Sequence, residues 1–598
     1  MERRSVLKGL AAIAALPPIM PAIMPARAQP FRRVRPGDAG WPAAEDWDLL
    51  KTQVDGNLLK PTDMLSTCVA DAQNPDCSAA RQELGNPFFI GDQPSGTQVS
   101  GWLNAWSPKP SAYAVAAHKP EDVVAAVNFA RTHRLRLAVK GGGHSYQGTS
   151  NAPDSLLVWT RPMHAITLHD AFVPAGSHET PVPAVTIEAG AMWVDAYDAV
   201  ITKAHRYVQG GGCMTVGVAG LIQSGGFGSF SKRYGNAASS LLQAQVVTAD
   251  GKLRTVNAAQ DADLFWGLKG GGGGSLAIVT SVTLKTHDLP DFFGFAGMTI
   301  KAASNEDFQR LLTRFVDFYS DSLFNPHWGE GVTITSDNVL DISMASAALS
   351  TEQARQVWQP FLSWVTSQGS SFSMKAPEIE SHQAFRQWDV EAMRRSGSRA
   401  IKLDDRPGAN PIHAWWTGDE EQVGAFLYGY DSLWLPQSLL APASRPLLAK
   451  ALFDASRHMA IRLHFNKGLA GGMPDAIARS HDTAMNPRAM DAFCLAIIAT
   501  GGAPRYPGLA PSNDQAQAAH DAKAVDQATT ILRAVAPDAG SYVSESNFFN
   551  ANWQQEFWGT NYRRLAAVKA KYDPDGLFTV HHGVGSEAWS DDGFTRRS

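Results

Sequence analysis

Residues 210–228 of this 598-residue chain read GGGCMTVGVAGLIQSGGFG, a glycine-rich loop that contains one cysteine, Cys213. Two further glycine-rich loops flank it, KGGGHSYQG at 140–148 and KGGGGG at 269–274. Glycine has no Cβ, so its backbone can approach a ligand closely, and the backbone amides of such loops bind anions. Three of these loops in one region indicate one long anionic ligand. Their sequences lack the Gly-Lys-Ser/Thr of a phosphate-binding loop and a clean G-x-G-x-x-G fingerprint.

Strand and helix patterns alternate around these loops. We predict strands at 111–117, 135–143, 155–160, 184–193 and 276–286, helices at 119–133 and 194–204, and a hairpin at 245–256 that turns at Asp250-Gly251. The second half has amphipathic helix patterns at 306–321 and 351–367, strand patterns at 332–346 and 492–502, and a helix at 554–572. Both halves are therefore α+β, and most tryptophans of the second half are expected in its core.

The composition is that of an ordinary soluble globular protein, with 44% apolar and 18% charged residues. The net charge of -5 and the lack of a long basic run argue against nucleic acid or an anionic membrane as a partner. The N-terminal sequence MERRSVLKG, a short apolar stretch and Ala26-Arg27-Ala28 predict an export signal at 1–28. Arg3-Arg4 favours the twin-arginine route over the general secretory one, and the apolar stretch is too short to span a membrane. We expect a periplasmic or secreted protein.

Four cysteines have different predicted roles. Cys68 and Cys77 lie in a polar, turn-rich segment and are plausible disulfide partners in an oxidising compartment. Cys494 lies in an apolar strand pattern and is expected to be an inert core thiol. Cys213 is either a small packed group or a reactive thiol, and its glycine-rich surroundings need a reason.

The loop motifs resemble those of a known family. KGGGHS, CMTVGVAG, DADLFWGLKGGGGG and IVT, together with the tail FWGTNYRRLAAVKAKYDPDGLF, resemble the vanillyl-alcohol-oxidase superfamily in its berberine-bridge-enzyme-like branch. The resemblance covers about residues 111–578. Four other segments, NPFFIGDQPSGTQVSGW, NAPDSLLVWT, FNKGLAGG and SYVSESNFF, resemble the isoamyl-alcohol-oxidase-like subgroup.

The resemblance implies an α+β fold with a two-part FAD-binding domain of the vanillyl-alcohol-oxidase type and an α+β substrate domain that has an antiparallel sheet. We place the FAD-binding domain at 106–290 and the substrate domain at 291–540. A C-terminal segment at 541–598 is expected to return to the FAD domain. The signal peptide at 1–28 and an irregular N-terminal extension at 29–105 precede these parts.

The resemblance also implies FAD held by two covalent links. His144 matches the histidine that joins the flavin 8α-methyl, and Cys213 matches the cysteine that joins flavin C6. The alternatives are a histidine that only caps a glycine turn and a cysteine that is only packed. The other implied cofactor-binding residues are Lys140, Gly141, Gly142, Gly143 and Ser145 at the pyrophosphate, Val216, Gly217, Gly220, Ser224, Gly225 and Gly228 along the ring and ribityl chain, Ile278 and Val279 at the pyrimidine edge, and His582 near the ring. Ala219, Ser224, Leu276 and Ala277 depart from the residues usual in the family.

The catalytic base is expected at Glu545, where sugar-oxidising relatives carry a tyrosine. A buried carboxylate of raised pKa can take a substrate proton, and the alternative is a structural carboxylate. His464 is the next candidate, and we expect it to alternate with Asn466 on one strand face. Val216 is expected beside the flavin face that O2 approaches.

These residues predict an FAD-dependent oxidase that takes hydride from a hydroxyl-bearing substrate, an alcohol, sugar, phenolic or secondary metabolite, and reduces O2 to H2O2. One alternative is a dehydrogenase that uses a quinone or cytochrome, and another is a flavin-containing binding protein without turnover. No metal site is predicted, and the sequence indicates neither the exact substrate nor the oligomeric state.

Overall fold

The computed structural model describes residues 31–71, 73–509 and 514–597. The predicted export signal at 1–28 lies outside them. No helix within these ranges is long and apolar enough to cross a membrane.

The strands fall into three main sheets and two short pairs. They are β1 Leu58–Leu59, β2 Tyr113–Ala116, β3 Arg136–Lys140, β4 Ser155–Trp159, β5 Ile166–Phe172, β6 Val182–Glu188, β7 Arg206–Tyr207, β8 Leu241–Val247, β9 Leu253–Asn257, β10 Ile278–Lys285, β11 His287–Asp288, β12 Phe292–Ala302, β13 Trp328–Ile334, β14 Val339–Ala347, β15 Phe372–Met374, β16 Glu378–Gln383, β17 Ile401–Leu403, β18 Ala414–Trp416, β19 Phe426–Pro436, β20 Ile461–His464 and β21 Ala492–Gly502.

The α-helices are mostly short in the first half and longer in the second. They are α1 Ala44–Gln53, α2 Ser66–Ala70, α3 Pro75–Gln82, α4 Pro87–Gly91, α5 Pro120–Thr132, α6 Trp193–Tyr197, α7 Val218–Gln223, α8 Ser231–Tyr234, α9 Ala262–Leu268, α10 Asn305–Phe318, α11 Thr351–Ser367, α12 Val390–Ser396, α13 Arg445–Ser456, α14 Pro474–His481, α15 Arg488–Asp491, α16 Gln515–Val535, α17 Trp553–Trp558 and α18 Tyr562–Tyr572.

Two sheets make up the region that carries the glycine-rich loops. The first has the order β1-β2-β4-β3, in which β2 and β3 both run parallel to β4. Helix α5 begins at Pro120 and makes the crossover from β2 to β3, as parallel strands require. The second sheet is antiparallel, with the order β5-β6-β10-β8-β9. Val127 of α5 and Ile278 of β10 belong to one buried core, so α5 packs between the two sheets.

The third sheet is antiparallel and contains eight strands. Its order is β15-β12-β14-β13-β20-β21-β19, and β16 also pairs with β12. Helices α10, α13 and α16 pack against it and bury a separate core. Tryptophans at 328, 358 and 434 are at most 2% exposed, which confirms that they are core residues. The predicted α+β fold, with an antiparallel sheet in the second half of the chain, is therefore confirmed.

The sequence patterns located several elements to the residue. Helix α11 and strand β21 have the predicted bounds, and Gly251 turns the β8–β9 hairpin with a φ of +74°. The predicted single helix at 554–572 is wrong, because Gly559, with a φ of +53°, separates α17 from α18. The extension at 29–105 is also not irregular: it forms α1–α4, and β1 pairs with β2.

The cysteine predictions are confirmed for three of the four residues. Cys68 and Cys77 form a disulfide, with their Cα atoms 4.8 Å apart. Cys494 is a free, fully buried thiol in the core beneath the third sheet. Cys213 is free and half-buried.

One buried lysine joins helix α8, which follows the glycine-rich loop at 210–228, to the region of the third sheet. Lys232 of α8 donates from Nζ to the carbonyl of Gly468 at 2.7 Å, to that of Phe493 at 3.1 Å, and to that of Ala470. In return, the Lys232 carbonyl accepts from the amide of Met473 at 2.7 Å. Burial lowers the pKa of Lys232 to about 7, and the three carbonyls satisfy the donors of its side-chain nitrogen.

We expect Lys232→Met to lower the stability of the protein by about 3 kcal/mol, because three buried carbonyls lose their donor. The measurement is a thermal melt followed by tryptophan fluorescence. Lys252→Met is the control, since the Lys252 side chain is 72% exposed, and it should leave Tm within a degree or so. Equal Tm values for the two variants would show that Lys232 does not hold the two parts together.

Candidate active site

The loops at 140–148 and 210–228 meet backbone to backbone. A Cβ built on Gly142 would lie 3.0 Å from the amide nitrogen of Gly217, and a Cβ built on Gly217 would lie 3.1 Å from that of Gly142. No larger residue fits at either position without moving one loop. The contact brings His144 next to Thr215, with 3.2 Å between Nε2 and Oγ1.

His144 is held as a neutral imidazole. Burial lowers its pKa to about 4, and the interaction with Thr215 opposes this shift only in part. A neutral imidazole has a free electron pair on one ring nitrogen. The ring can therefore act as a nucleophile at neutral pH.

The residues at the start of the first loop differ in what they offer. Lys140 ends β3, and its ammonium donates to backbone carbonyls at Pro94 and Gly96, at 3.1 and 2.8 Å. The side chain of Lys140 therefore binds the N-terminal extension at residues 29–105. The amides of residues 142–145, by contrast, have no hydrogen-bond acceptor in the described part of the chain. Buried amides are nearly always paired, so this run is suited to an anion.

The glycines of the second loop have two distinct explanations. A Cβ on Gly228 would lie 2.1 Å from the carbonyl oxygen of Gly210, and one on Gly225 would lie 2.1 Å from the sulfur of Met485. Packing within the protein accounts for these two. A Cβ on Gly220 or on Gly273 would meet no atom within 4 Å. These two positions leave space for a ligand against bare backbone.

The remaining predicted cofactor residues are spread over several elements. Ile278 and Val279 begin β10 and are buried, and the hydroxyl of Ser224 donates to the carbonyl of Gly220 at 3.1 Å. His582 lies at a φ of +50° among the rings of the C-terminal segment, with Trp553 5.3 Å away. Burial lowers its pKa to about 3. Within the described ranges, no hydrogen bond or ring contact joins His582 to the loops of His144 and Cys213.

Cys213 lies in a turn that neighbouring aromatic residues hold in place. The indole of Trp416 donates to the carbonyl of Gly212 at 3.0 Å, and the hydroxyl of Tyr197 donates to that of Gly211. Burial raises the pKa of the Cys213 thiol well above its ordinary value, the carboxylate of Asp419 adds to this, and Lys467 opposes it. The thiol is therefore protonated at neutral pH.

The ion pair between Lys467 and Glu545 lies near the loop of Cys213. Lys467 donates from Nζ to both carboxylate oxygens of Glu545, each at 2.6 Å. Both side chains are less than 20% exposed. Glu545 also raises the pKa values of the Tyr146 and Tyr430 hydroxyls, together with burial, which is the larger cause. The predicted base thus stands beside two neutral tyrosines and has a cation as its partner.

The expectation that His464 and Asn466 alternate on one strand is wrong. Strand β20 ends at His464, and residues 465–467 form a 3-10 turn. Burial, Lys467 and Arg462 lower the pKa of His464 well below its ordinary value. Its Nδ1 atom is buried and has no hydrogen-bond partner among the described residues, so His464 is a neutral imidazole whose lowered pKa makes it a weak base.

Glu330 is a further carboxylate that the sequence analysis missed. It has a φ of +58°, a left-handed conformation that is rare for glutamate and often marks a functional position. The hydroxyl of Ser229 donates to its Oε1, and Asn466 Nδ2 lies 3.5 Å from the same atom. Nothing in the sequence around Glu330 indicates this conformation.

Tyr146, Lys467 and Asp419 were also missed as site residues. Tyr146 directly follows the KGGGHS motif, and Lys467 lies in FNKG, so both were within reach of a motif argument. Asp419 lies in an acidic 3-10 segment, Thr417–Gln422, that resembles any solvated turn.

Comparison with known proteins identifies the domains that contain these residues. Residues 110–257 match the FAD binding domain family, and residues 541–585 match the berberine and berberine-like family. The chain is 28% identical to an uncharacterised FAD-linked oxidoreductase of Arthroderma benhamiae, over 95% of this chain and 96% of the relative. It is also 28% identical to the VAO-type flavoprotein oxidase VAO615 of Thermothelomyces thermophilus, over 94% of each.

Solved structures show the same fold. The VAO-type flavoprotein MtVAO615 of Myceliophthora thermophila superposes with a TM-score of 0.77 and 24% identity, over 95% of this chain and all of that one. A glucooligosaccharide oxidase of Acremonium strictum superposes with a TM-score of 0.62 and 19% identity, over 88% of this chain and 99% of that one. A structure of the Acremonium strictum enzyme is described as containing a 6-S-cysteinyl, 8α-N1-histidyl FAD.

The predicted resemblance is confirmed by these matches. The chain is an FAD-linked oxidoreductase with the fold of VAO-type flavoproteins and a berberine-like C-terminal segment. That segment packs on the FAD-binding region, where the indole of Trp558 donates to the carbonyl of Gly270 at 2.9 Å.

Proposed function

We propose that this protein is an FAD-dependent oxidase that takes hydride from a hydroxyl-bearing substrate, an alcohol, sugar or secondary metabolite, and passes the electrons to O2 as H2O2. The observation that carries this proposal is that the loop of Cys213 contacts His144 through Thr215 and lies near Lys467, which pairs with Glu545 and acts on the thiol. Sugar oxidases among the solved neighbours support the substrate class. A panel of alcohols, sugars and phenolics, scored by anaerobic flavin bleaching and then by H2O2 release, tests it.

The residues present fit FAD. The unpaired amides at 142–145 would hold the pyrophosphate, Gly220 and Gly273 leave room along the backbone, and His144 and Cys213 would attach the ring. When bound, FAD supplies a two-electron acceptor that can react with O2. The chain supplies binding, orientation and proton transfer.

The proton of the substrate hydroxyl needs an acceptor on the substrate side. Lys467 keeps the carboxylate of Glu545 in place and can also orient the substrate oxygen. Tyr146 and Tyr430 border the same space with neutral hydroxyls. His464, whose Nδ1 is unpaired, is the alternative acceptor, although burial, Lys467 and Arg462 lower its pKa and weaken it as a base.

We also propose export through the signal at 1–28 to the periplasm or the medium. The Cys68–Cys77 disulfide supports an oxidising compartment.

The first prediction for this function concerns the two covalent links. We expect the mass of the denatured protein to include FAD, joined to the peptides that hold His144 and Cys213. Cys213→Ala should keep the His144 link, and His144→Ala should keep the thioether alone or lose much of the flavin. Quantitative release of FAD from the denatured wild type would contradict covalent binding.

The second prediction concerns the base. Glu545→Gln should slow flavin reduction by about 10²- to 10⁴-fold, the usual scale of general base catalysis, because the amide cannot accept the proton. The variant keeps a hydrogen-bonding partner for Lys467, and its reoxidation by O2 should be unchanged. Stopped-flow absorbance measures both steps, and Glu420→Gln, on a half-exposed residue, is the control. A normal rate of reduction would shift the role to His464, tested by His464→Gln.

The third prediction concerns O2. Val216 is half-buried, and its carbonyl accepts from the amide of Trp193 at 3.1 Å, which fixes the loop beside the Cys213 turn. Val216→Leu adds one methylene without changing charge, so anaerobic flavin reduction should stay near wild type while reoxidation by O2 slows strongly. Val173→Leu, on an exposed valine, is the control. Equal reoxidation rates in stopped flow would remove this role and favour a quinone- or cytochrome-linked dehydrogenase.

A further inference from the structure

Asp419 is held over the Cys213 turn by contacts at both ends of its segment. Trp416, just before the 3-10 segment Thr417–Gln422, donates from its indole to the carbonyl of Gly212 at 3.0 Å. At the other end, the hydroxyl of Tyr146 donates to Oε1 of Gln422 at 3.2 Å. The segment is thus tied to the residue that precedes Cys213 and to the loop that carries His144.

Asp419 follows Trp416 by one turn of this segment, so it lies near the Cys213 turn, and its carboxylate raises the pKa of the thiol. Its Oδ2 atom is buried and has no hydrogen-bond partner among the residues that the structure describes. A buried carboxylate oxygen that lacks a donor is costly, and such atoms in a native fold need an explanation. A thiol that gives up its proton to this carboxylate supplies one.

The thiol needs such an acceptor. Burial and the negative charge of Asp419 raise the pKa of Cys213, so the reactive thiolate is scarce at neutral pH. Burial also raises the pKa of Asp419 itself, which strengthens its carboxylate as a proton acceptor. The Lys467 ammonium would stabilise the thiolate once it forms.

Other groups that face the thiol are less suited to this task. Glu545 lies beside Tyr146 and Tyr430 and is not among the groups that shift the pKa of the thiol, and Glu330 accepts from Ser229. Burial keeps the nearby tyrosine hydroxyls protonated by raising their pKa values. The titratable and charged groups around the thiol are Asp419, Glu330, Glu545, Lys467, Arg462, Tyr146, Tyr197 and Tyr430.

We propose that Asp419 accepts the thiol proton of Cys213 as the sulfur bonds to flavin C6. The bond between the sulfur and C6 is the second covalent link to FAD. This role rests on the proposed attachment of FAD through Cys213. The S–H and C6–H bonds break and an S–C6 bond forms. The two protons released from S–H and C6–H are taken up by the ring, which gains two electrons as the sulfur becomes a thioether, so that no proton is gained or lost overall. Dioxygen then takes those two electrons and two protons and leaves as H2O2.

The test compares purified wild type with Asp419→Asn and with Glu420→Gln, a neighbour in the same segment that pairs with Lys402 instead. Each protein is treated with iodoacetamide after denaturation and digested, and the flavin peptides are identified by mass. We expect FAD joined to both the His144 and Cys213 peptides in the wild type and in Glu420→Gln. In Asp419→Asn we expect FAD on His144 alone and an alkylated Cys213.

A time course in air adds a second readout. The Cys213 link should form at least 10-fold more slowly in Asp419→Asn than in the wild type, and its rate should rise with pH as solvent removes the thiol proton. Asp419→Glu keeps a carboxylate and should restore the link. Restoration of the link in Asp419→Glu would show that the loss in Asp419→Asn comes from the missing carboxylate and not from poor folding.

Two outcomes overturn the proposal in different ways. Complete double linkage in Asp419→Asn at the wild-type rate, or a single link in a folded Asp419→Glu protein, removes the role of Asp419 and leaves the two-link cofactor intact. A wild type that carries no Cys213–flavin bond overturns the covalent assignment itself, and the role of Asp419 falls with it.

Discussion

The close approach of Gly142 and Gly217 is the contact on which the site depends. With a Cβ at either position only 3.0–3.1 Å from the opposite amide nitrogen, the two loops touch through bare backbone. His144 follows Gly142 by two residues, and Cys213 precedes Gly217 by four, so the contact fixes the two candidate attachment points relative to each other. Glycine is therefore needed at both positions because the two loops pack closely, and not because the chain turns there.

Charge distribution separates the carboxylates of the site by function. Glu545 has both oxygens bound by Lys467, whereas Asp419, near the Cys213 turn, has a buried oxygen that lacks a donor. The pairing with Lys467 fixes the position of Glu545, and the unpaired oxygen of Asp419 is free to receive a proton. One cation, Lys467, acts on both groups. The same lysine therefore influences proton transfer on the substrate side and at the cysteine.

The sequence predicted the elements whose patterns are local. Helix α11, strand β21 and the Asp250-Gly251 hairpin follow from periodicity and turn chemistry. The motif residues His144 and Cys213 also fell where their loops meet. Asp419 and Glu330 could not be predicted, because their roles come from long-range contacts: a 3-10 segment over a distant turn, and a left-handed strand residue beside Ser229. The break at Gly559 was missed because a glycine within a helical pattern is often tolerated.

A series of contacts joins the loop that holds Cys213 to the ion pair between Lys467 and Glu545. Gly228 packs against the carbonyl of Gly210, at the start of the loop that holds Cys213, and α8 begins three residues later. Lys232 of α8 binds the carbonyl of Gly468, which directly follows Lys467 in the chain. Since Lys467 in turn holds Glu545, the position of the predicted base is set from the FAD-binding side. Displacement of one loop would therefore alter both the attachment of the flavin and the group that accepts the substrate proton.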